Sequence, residues 1–362
     1  MRAPAKLIVK AGLVELFQEE VNMTPERQPT GQPTPALLFD TLNAYQRTEA
    51  IKSGIELGLF SAVAEGKTSA KEIAEACEAS ERGARILCDY LVIIGFLTKQ
   101  DGRYGLTPDS AMFLDQRSPA YLGTIIDFIL SPMLIDPFKQ LTEAVKRGGS
   151  ASDTTPLDPE HPVWVKFARA MAPLMAMPSQ LLAKLADPHA NGKLRILDIA
   201  AGHGLYGLAF ASRNPQAEVT ALDWPNVLEV AKENAQAAGV SGRYQTRPGS
   251  AFDVDYGTGY DIILLTNFLH HFDAPTCEML LRKVHGALAD GGRAVTLEFV
   301  PNPDRVSPPQ AAAFSLTMLG STPAGDAYTF AELETMFRNA GFAHSEMHDL
   351  PPSIERVVIS HK

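Results

Sequence analysis

Apolar and polar positions follow two different periods along the second half of the chain. Short apolar runs, such as 194–199, are followed by segments in which apolar residues recur every three or four positions, such as 205–213. The runs predict buried strands, and the segments predict amphipathic helices that cover them. Their alternation predicts a mainly parallel sheet with helices on both faces. The predicted elements are strand 194–199, helix 205–213, strand 218–222, helix 225–238, strand 243–247, strand 261–266, helix 274–289 and strand 293–299.

Capping residues mark the ends of two later helices. Asp273 with Pro275 predicts the start of helix 274–289, and Gly291-Gly292 follows its end. Thr329 and Glu332 have the spacing of a capping box and predict a late helix that ends at Gly341.

The pattern before residue 131 predicts helices followed by a small hairpin. Apolar spacing predicts a helix over 36–57 and two helices over 68–77 and 80–94, and a turn at Asp101-Gly102 predicts a hairpin between 97–98 and 103–106. This is a winged-helix layout, which often binds DNA. Residues 35–130 contain nine Lys and Arg against 13 Asp and Glu, so the basic surface that nucleic acid requires is missing.

The pattern also predicts helices after residue 115, whereas residues 1–34 do not have the apolar pattern of a folded domain. Residues 115–180 are mostly helical by pattern and are interrupted by a polar loop at 148–162. Residues 1–34 contain a short amphipathic segment and a linker rich in Pro, Thr, Gln and Gly, without the cleavage site of a secretory signal. We therefore expect no catalytic role for residues 1–34.

Composition limits the partners and the compartment. The net charge of −10 argues against nucleic acid or an anionic membrane as the main partner. No transmembrane segment is evident, and 45% hydrophobic with 20% charged residues is typical of an ordinary two-domain protein of this length. The cysteines Cys77, Cys88 and Cys277 have no metal-ligand spacing, so we expect buried thiols, no metal and a cytoplasmic location.

A turn of small residues separates the first predicted strand of the sheet from its helix. The strand ends at Ile199, and the helix begins at Leu205 after a stretch that is small apart from His203. Such a turn lets a ligand approach the backbone and the unpaired N–H groups of the new helix. The next strand ends in Asp223, where an acid commonly accepts hydrogen bonds from ribose hydroxyls.

Two cofactors fit this turn. Gly202, Gly204 and Gly207 match the dinucleotide pattern G-x-G-x-x-G, which keeps a nicotinamide or flavin enzyme open. Asp198 at the end of the strand would repel the charges of a pyrophosphate. S-adenosylmethionine carries an ammonium and a sulfonium, so this carboxylate favours S-adenosylmethionine.

Two segments carry a resemblance to a known family. The run from Asp198 to Gly204 resembles the first motif of class I S-adenosylmethionine-dependent methyltransferases. Asp223-Trp224-Pro225-Asn226-Val227 resembles the ribose-binding Asp-x-Pro-x-Val of two-domain, caffeic acid O-methyltransferase-like enzymes of plants and bacteria. The resemblance covers about residues 35–362. It implies an α/β fold in which a Rossmann-like sheet, closed by a hairpin of 343–350 and 355–361, follows an N-terminal all-α winged-helix dimerisation domain.

The resemblance also implies how the chain is divided and what it binds. We expect a homodimer that acts on a small-molecule acceptor. The expected segments are an extension and linker at 1–34, a dimerisation domain at 35–130, a helical connector contributing to the acceptor pocket at 131–180, and the S-adenosylmethionine-binding domain at 181–362.

The expected chemistry lies at the carboxyl ends of the strands. Residues 266–272 resemble the Leu-His-Asp-Trp segment that carries the family's general base, and His270 takes that place. Glu298 matches the acid that orients this histidine. An imidazole with an ordinary pKa of about 6.5 can take the proton of a phenol with a pKa of about 10 as the oxygen attacks.

The remaining predicted contacts form two groups. The predicted cofactor contacts are Asp198, Ala200, Gly202, Gly204, Asp223, Trp224, Ser250, Phe252, Thr266 and Asn267. The predicted acceptor-pocket residues are Phe167, Met171, Met175, His271, Phe314 and Met318.

Several positions depart from the family pattern. The acid after the base is His271 here, the following Trp is Phe272, and a Lys often found before the base falls at Thr266. The second orienting acid falls at Ala327, which leaves Glu298 alone unless Asp326 substitutes for it.

Three alternatives remain open from the sequence. Transfer to nitrogen, sulfur or carbon would need only proximity, and His270 would then be dispensable. A non-catalytic protein could bind S-adenosylmethionine without turnover. A nicotinamide oxidoreductase is the third alternative.

Overall fold

The computed structural model describes residues 33–152 and 161–362. Its strands are β1 (Leu97–Gln100), β2 (Arg103–Leu106), β3 (Leu194–Ile199), β4 (Ala217–Asp223), β5 (Tyr244–Pro248), β6 (Tyr260–Thr266), β7 (Leu288–Glu298), β8 (His344–Asp349) and β9 (Arg356–His361). Its α-helices are α1 (Ala36–Leu42), α2 (Ala44–Glu56), α3 (Leu59–Ala64), α4 (Ala70–Ala76), α5 (Glu81–Ile93), α6 (Pro108–Phe113), α7 (Ile126–Ile129), α8 (Pro132–Ile135), α9 (Leu141–Arg147), α10 (Pro162–Ala186), α11 (Leu205–Arg213), α12 (Pro225–Ala237), α13 (Ala274–Ala287), α14 (Pro309–Ser321) and α15 (Phe330–Asn339).

A seven-stranded sheet organises the second half of the chain. Its strand order is β5-β4-β3-β6-β7-β9-β8. The first five strands in this order are parallel, whereas β9 runs antiparallel to β7 and to β8. The predicted Rossmann-like sheet and its closing hairpin are therefore confirmed.

Alternating side chains of the strands bury the two faces of the sheet under different helices. Ile196 and Leu264 face a core that α10, α11 and α12 complete, whereas Leu197 and Leu265 face a core that α13 and α15 complete. Because parallel strands are covered on both faces, they read as continuous apolar runs in the sequence. Functional groups can reach solvent only at the strand ends.

Helix caps lie close to where the sequence predicts them. Asp273 accepts a hydrogen bond from the backbone N–H of Thr276 at 2.9 Å, and Thr329 with Glu332 forms the predicted capping box. Several predicted bounds differ from the observed ones by one or two residues, and the start of β7 differs by more. β7 begins at Leu288 rather than 293, because the Gly291-Gly292 segment stays in the strand with a register irregularity against β6.

The N-terminal unit has the predicted helices and hairpin around its own core, with two corrections. The helix expected over 36–57 is broken at Asn43, whose φ of −95° and ψ of 0° separate α1 from α2. The sequence prediction also missed α3, which follows Gly58 in a left-handed conformation with φ of 65°. The capping box of Ser69 and Glu72 begins α4, and β1 pairs with β2 as expected.

Some expectations lie outside the described residues or stay predictions. The short amphipathic segment and most of the linker within 1–34 lie outside them, as does most of the polar loop at 148–162. Helix α10 runs through residue 180, so the connector continues into the next segment without a break. The three cysteines are free and buried, as predicted. No helix in the described ranges is long and apolar enough to cross a membrane.

Candidate active site

The turn between β3 and α11 has the backbone of a ligand cradle. Ala200, Gly202 and Gly204 all have positive φ, at 55°, 57° and 75°. Gly207 packs against the end of β3, and a Cβ there would lie 2.9 Å from Oδ2 of Asp198. Small residues are therefore required for both the conformation of the turn and its close packing.

Asp198 is a fully buried carboxylate below this turn. Its Oδ2 accepts a hydrogen bond from the backbone N–H of Gly207 at 3.0 Å, while its Oδ1 has no partner among the described residues. Burial raises the pKa of Asp198 to about 7, and the charge of Asp223 acts in the same direction. A buried acceptor without a partner is costly, so this site favours a cationic or hydrogen-bond-donating ligand.

Asp223 holds the turn from the neighbouring strand. Its Oδ2 accepts a hydrogen bond from the backbone N–H of Gly202 at 2.8 Å, and its Oδ1 accepts one from the N–H of Trp224 at 2.7 Å. Burial raises the pKa of Asp223 to about 6. Asp223 thus links the end of β4 to the turn that follows β3. A ribose would bind between these two strand ends.

The segment after β5 reaches the same edge of the sheet. The backbone N–H of Gly249 donates to the carbonyl of Asp223 at 3.0 Å, and the N–H of Phe252 donates to Oγ of Ser250 at 3.1 Å. Lys283 of α13, which the sequence prediction missed, donates to the carbonyls of Ala251 and Phe252. The half-buried Phe252 is therefore fixed beside the cradle.

His270 and Glu298 come together at the ends of β6 and β7. Nδ1 of His270 lies 2.5 Å from Oε2 of Glu298, and both side chains are buried. Oε1 of the same carboxylate accepts hydrogen bonds from the backbone N–H groups of Phe268 and Leu269 at 2.9 and 2.8 Å. This carboxylate can hold the Nδ1–H tautomer, which leaves Nε2 as the nitrogen able to accept a proton.

The residues before His270 lie at the predicted end of β6. Thr266 is buried in the strand, and Asn267 follows it with a positive φ of 56°. The backbone N–H of Asn267 donates to the carbonyl of Leu297 at 2.8 Å, which extends the pairing between β6 and β7 by one residue. The chain then turns into the short helical segment that carries His270.

Aromatic rings surround this pair. The ring of Phe314 lies edge-on to His270 with a centroid distance of 4.9 Å and stacks on Phe299 at 3.9 Å. On the other side, His271 is in edge contact with Trp164 at 5.6 Å. Trp164 belongs to an apolar stripe on α10 that by pattern can be either core or pocket lining, and the structure puts its ring against His271.

Helix α10 forms a wall against the glycine turn. The Phe167 ring stacks on His203 at 6.3 Å and lies next to Gly202. Met171 and Met175 belong to the core between α10 and the sheet, where Met175 Sδ accepts a hydrogen bond from the hydroxyl of Tyr206 at 3.3 Å. Met318 is buried on α14. Acceptor contacts by these methionines stay predictions.

Asp326 does not face His270. Its Oδ2 pairs with the guanidinium of Arg305 at 3.2 Å, and its Oδ1 accepts the backbone N–H of Ala327 at 2.8 Å. The buried methyl group of Ala327 occupies the position where the family pattern has a second acid. Asp326 therefore pairs with Arg305 rather than with His270.

Comparisons with known proteins agree on one family. Residues 157–343 match the O-methyltransferase domain, and residues 39–116 match the O-methyltransferase dimerisation domain. The 3-hydroxy-5-methyl-1-naphthoate 3-O-methyltransferase of Streptomyces sahachiroi is 30% identical over 314 residues, which cover 85% of this chain and 89% of that protein.

Solved structures extend the similarity to the fold. A provisionally assigned O-methyltransferase from Nostoc punctiforme is 57% identical and superposes with a TM-score of 0.88, covering 91% of this chain and 100% of that one. Human N-acetylserotonin methyltransferase in complex with S-adenosylmethionine is 20% identical with a TM-score of 0.79, covering 92% of this chain and 99% of that one. At that identity, the human enzyme shows similarity of fold alone.

Proposed function

The chain belongs to the O-methyltransferase family and uses S-adenosylmethionine, and from this premise we propose that it methylates a hydroxyl of a small aromatic or polyketide-like acceptor. In this proposal His270 is the general base and Glu298 is its orienting acid. The glycine turn by itself fits either a dinucleotide or S-adenosylmethionine, and the family's use of S-adenosylmethionine favours the second ligand.

The pairing of His270 with Glu298 is the observation that carries the proposal. A hydroxyl must lose its proton as its oxygen attacks carbon, and a neutral imidazole can accept that proton. With Nδ1 held by the carboxylate at 2.5 Å, the ring cannot rotate freely, so Nε2 has a fixed direction. The Glu298 carboxylate also stabilises the imidazolium that forms.

The geometry of the cradle fits the cofactor. The unpartnered Oδ1 of Asp198 suits a cationic group, the positive-φ turn gives backbone access, and Asp223 is placed for the ribose. When bound, S-adenosylmethionine would supply the methyl group for the acceptor oxygen and would be left as S-adenosylhomocysteine. His270 takes the acceptor proton and later releases it to solvent.

The surroundings of His270 support an aromatic acceptor. Phe314 and Phe299 beside His270, and Trp164 beside the adjacent His271, present flat apolar surfaces, where edge-on and stacked ring contacts favour planar molecules. His271 is neutral in this environment, because burial and the neighbouring His270 hold its pKa well below the usual value. The name of the Streptomyces relative likewise specifies a hydroxyl on a fused aromatic ring.

Association of two copies completes the proposal. Helices α1 and α2 expose large apolar side chains at and just before the start of the region that matches the dimerisation domain. An exposed apolar surface of this kind is typical of a protein interface. The exposed residues are Leu37, Leu38, Phe39, Leu42 and Tyr45.

A methyl-transfer assay tests the proposal. The protein is incubated with S-adenosylmethionine carrying a labelled methyl group and with hydroxynaphthoates and polyketide-type phenols. Each acceptor is matched by its amine analogue and its methyl ether. We expect a labelled methyl ether and an equal amount of S-adenosylhomocysteine from at least one hydroxyl compound. Labelled product from the amines or from ring carbons, without ether formation, would contradict oxygen as the acceptor atom.

A further inference from the structure

His203 is the only residue with a large side chain in the turn between β3 and α11. The residue is buried, with 3% of its surface exposed. Its Nδ1 accepts a hydrogen bond from the backbone N–H of Leu205 at 3.1 Å, and its backbone carbonyl accepts one from Nδ2 of Asn234 on α12 at 2.8 Å. Both the backbone and the ring of His203 are therefore fixed.

The hydrogen bond from Leu205 determines which ring nitrogen carries the hydrogen. A nitrogen that accepts a backbone N–H has no hydrogen of its own, so the neutral ring carries its hydrogen on Nε2. Burial lowers the pKa of His203 to about 4, which keeps the ring neutral near physiological pH. Nε2 has no hydrogen-bond partner in the described part of the chain. A buried donor of this kind is costly unless a ligand supplies the acceptor.

Capping of α11 does not by itself explain a histidine at this position. The shorter side chains of Asn, Asp and Ser can also accept the backbone N–H two residues further along the chain. An imidazole makes the same hydrogen bond through Nδ1 and adds a second nitrogen on the other side of the ring. Nε2 is therefore the group that His203 provides and a shorter capping residue would lack.

The His203 ring lies on the face of the sheet that α10 covers. It stacks on Phe167 of α10 with 6.3 Å between the ring centroids and 17° between the planes, and it is tilted against Tyr206 of α11 at 5.8 Å. Asp198 faces the same side, because it follows by two positions Ile196, whose side chain belongs to the core under α10. The unpartnered donor of His203 and the unpartnered Oδ1 of Asp198 therefore lie on one side of the same turn.

The amino-acid end of S-adenosylmethionine has the two groups that match these atoms. Its ammonium and its carboxylate are bonded to the same carbon, so a carboxylate must lie beside any ammonium that binds at Asp198. The positive N-terminal end of α11, a helix of nine residues, favours an anion there. In the first turn of α11, the backbone N–H groups of Leu205 and Gly207 already bind His203 and Asp198. The side-chain donor of His203 is still available for a carboxylate.

We propose that Nε2–H of His203 donates a hydrogen bond to the carboxylate of the amino-acid end of S-adenosylmethionine, beside the ammonium that Asp198 receives. The inference rests on the cofactor site of the proposed function and is independent of His270 and of the acceptor. The turn then distinguishes a nucleoside that carries a complete amino-acid end from one that lacks it.

Two variants at His203 separate the donor from the cap. His203→Asn keeps an oxygen that can accept the Leu205 N–H, but its amide nitrogen takes the place of ring Cδ2 and does not reach the position of Nε2. His203→Gln has a longer side chain, whose amide nitrogen can reach that position. His189→Asn changes an exposed histidine in the loop between α10 and β3 and is the matched control.

Calorimetry compares three ligands: S-adenosylhomocysteine, its decarboxylated analogue, and methylthioadenosine, which lacks the whole amino-acid end. We expect His203→Asn to weaken S-adenosylhomocysteine binding about tenfold to 100-fold, the usual effect of a lost hydrogen bond to a charged group. Its affinities for the other two ligands should stay within about twofold of wild type, because neither has the carboxylate. His203→Gln should recover part of the loss, and His189→Asn should bind all three ligands normally.

NMR of the wild-type protein, labelled at the histidine rings, gives a second readout. The His203 signals are identified by their loss in His203→Asn. We expect the ligand-free protein to show the tautomer with hydrogen on Nε2. Addition of S-adenosylhomocysteine should move the Nε2 signal further than addition of the decarboxylated analogue does.

The outcomes separate this inference from the proposed function. Unchanged S-adenosylhomocysteine affinity in His203→Asn would overturn the carboxylate contact, and so would an equal loss for all three ligands, which would indicate a change in the turn itself. A wild-type protein that does not bind S-adenosylhomocysteine would overturn the cofactor site together with this inference. None of these measurements requires an acceptor, so failure to methylate any hydroxyl compound would contradict the proposed reaction and leave the His203 contact standing.

Discussion

Oε2 of Glu298 lies 2.5 Å from Nδ1 of His270, although 28 residues separate the two along the chain. The other oxygen of the carboxylate accepts backbone N–H groups from the loop that carries the histidine. The Glu298 carboxylate therefore fixes both the His270 ring and the backbone of the loop that carries it. A ring held in this way can accept a proton at Nε2 without first reorienting.

Replacing His270 by Ala should abolish turnover while leaving the cofactor bound. We expect kcat to fall about 100-fold to 10,000-fold, which is the usual contribution of a positioned base. S-adenosylhomocysteine affinity should stay within about twofold, since His270 is not part of the glycine turn. His344→Ala, on the exposed edge strand β8, is the control. Full activity in His270→Ala would mean that proximity alone suffices and would favour nitrogen, sulfur or carbon methylation.

Asp223 should control cofactor affinity. Asp223→Ala removes the predicted ribose acceptor and also the partner of the Gly202 and Trp224 N–H groups. We expect calorimetry to show at least about tenfold weaker S-adenosylhomocysteine binding, because a lost charged hydrogen bond costs about 1.5–3 kcal/mol. Asp253→Ala changes an exposed acid of the next loop and should bind normally. Equal affinities of the two variants would remove Asp223 from the cofactor site.

The sequence predicts the sheet well because its strands are buried on both faces. The apolar run of β3 and the small residues after it define the strand, the turn and α11 without tertiary information. Resemblance, rather than pattern, directs attention to His270 and Glu298. Neither source indicates the contact of Trp164 with His271, because it depends on how two distant elements meet. The break at Asn43 was missed because apolar spacing continues across it.

The ligand-free protein should lose stability as the pH rises towards neutrality, partly because of Asp198. Burial raises the pKa of this acid from 3.8 to about 7 in the folded state. Between pH 3.8 and about 7, Asp198 is ionised in the unfolded chain but protonated in the folded chain. The stabilising contribution is therefore complete below about pH 4 and is lost as the pH rises through about 7.

Asp198→Asn isolates this contribution. His203, whose pKa burial lowers to about 4, acts with the opposite sign in both proteins. The difference in unfolding free energy between wild type and variant therefore reports Asp198. We expect denaturant titrations between pH 4.5 and 8 to show a difference that changes with pH. A constant difference for Asp198→Asn across this pH range would contradict the buried, protonated acid.

The exposed apolar face of α1 should form the contact between two copies. Phe39 is 57% exposed, and a Glu at this position would put an unpaired charge into the proposed interface. We expect light scattering to show a dimer for the wild type and a shift to monomer for Phe39→Glu. Met279→Glu, at an exposed apolar position on α13, should remain a dimer. If both variants were dimers, the interface would lie elsewhere.

Gly325 packs directly against the loop that carries His270. A Cβ at this position would overlap the carbonyl oxygen of His270 and lie 2.9 Å from the carbonyl carbon of His271. Both are backbone atoms, so neither can move aside by changing a rotamer. Gly325→Ala should therefore displace the loop and change the direction in which Nε2 of His270 points.

We expect Gly325→Ala to lower the free energy of unfolding by about 1–3 kcal/mol, as overpacking usually does. It should also reduce kcat by about tenfold or more, with S-adenosylhomocysteine affinity unchanged, because the cradle lies on other strands. Gly286→Ala is the matched control, since a Cβ in that part of α13 meets nothing within 4 Å and favours the helix. A stable Gly325→Ala protein with normal kcat would show that the His270 loop tolerates displacement, and the tight positioning argued from Glu298 would then be wrong.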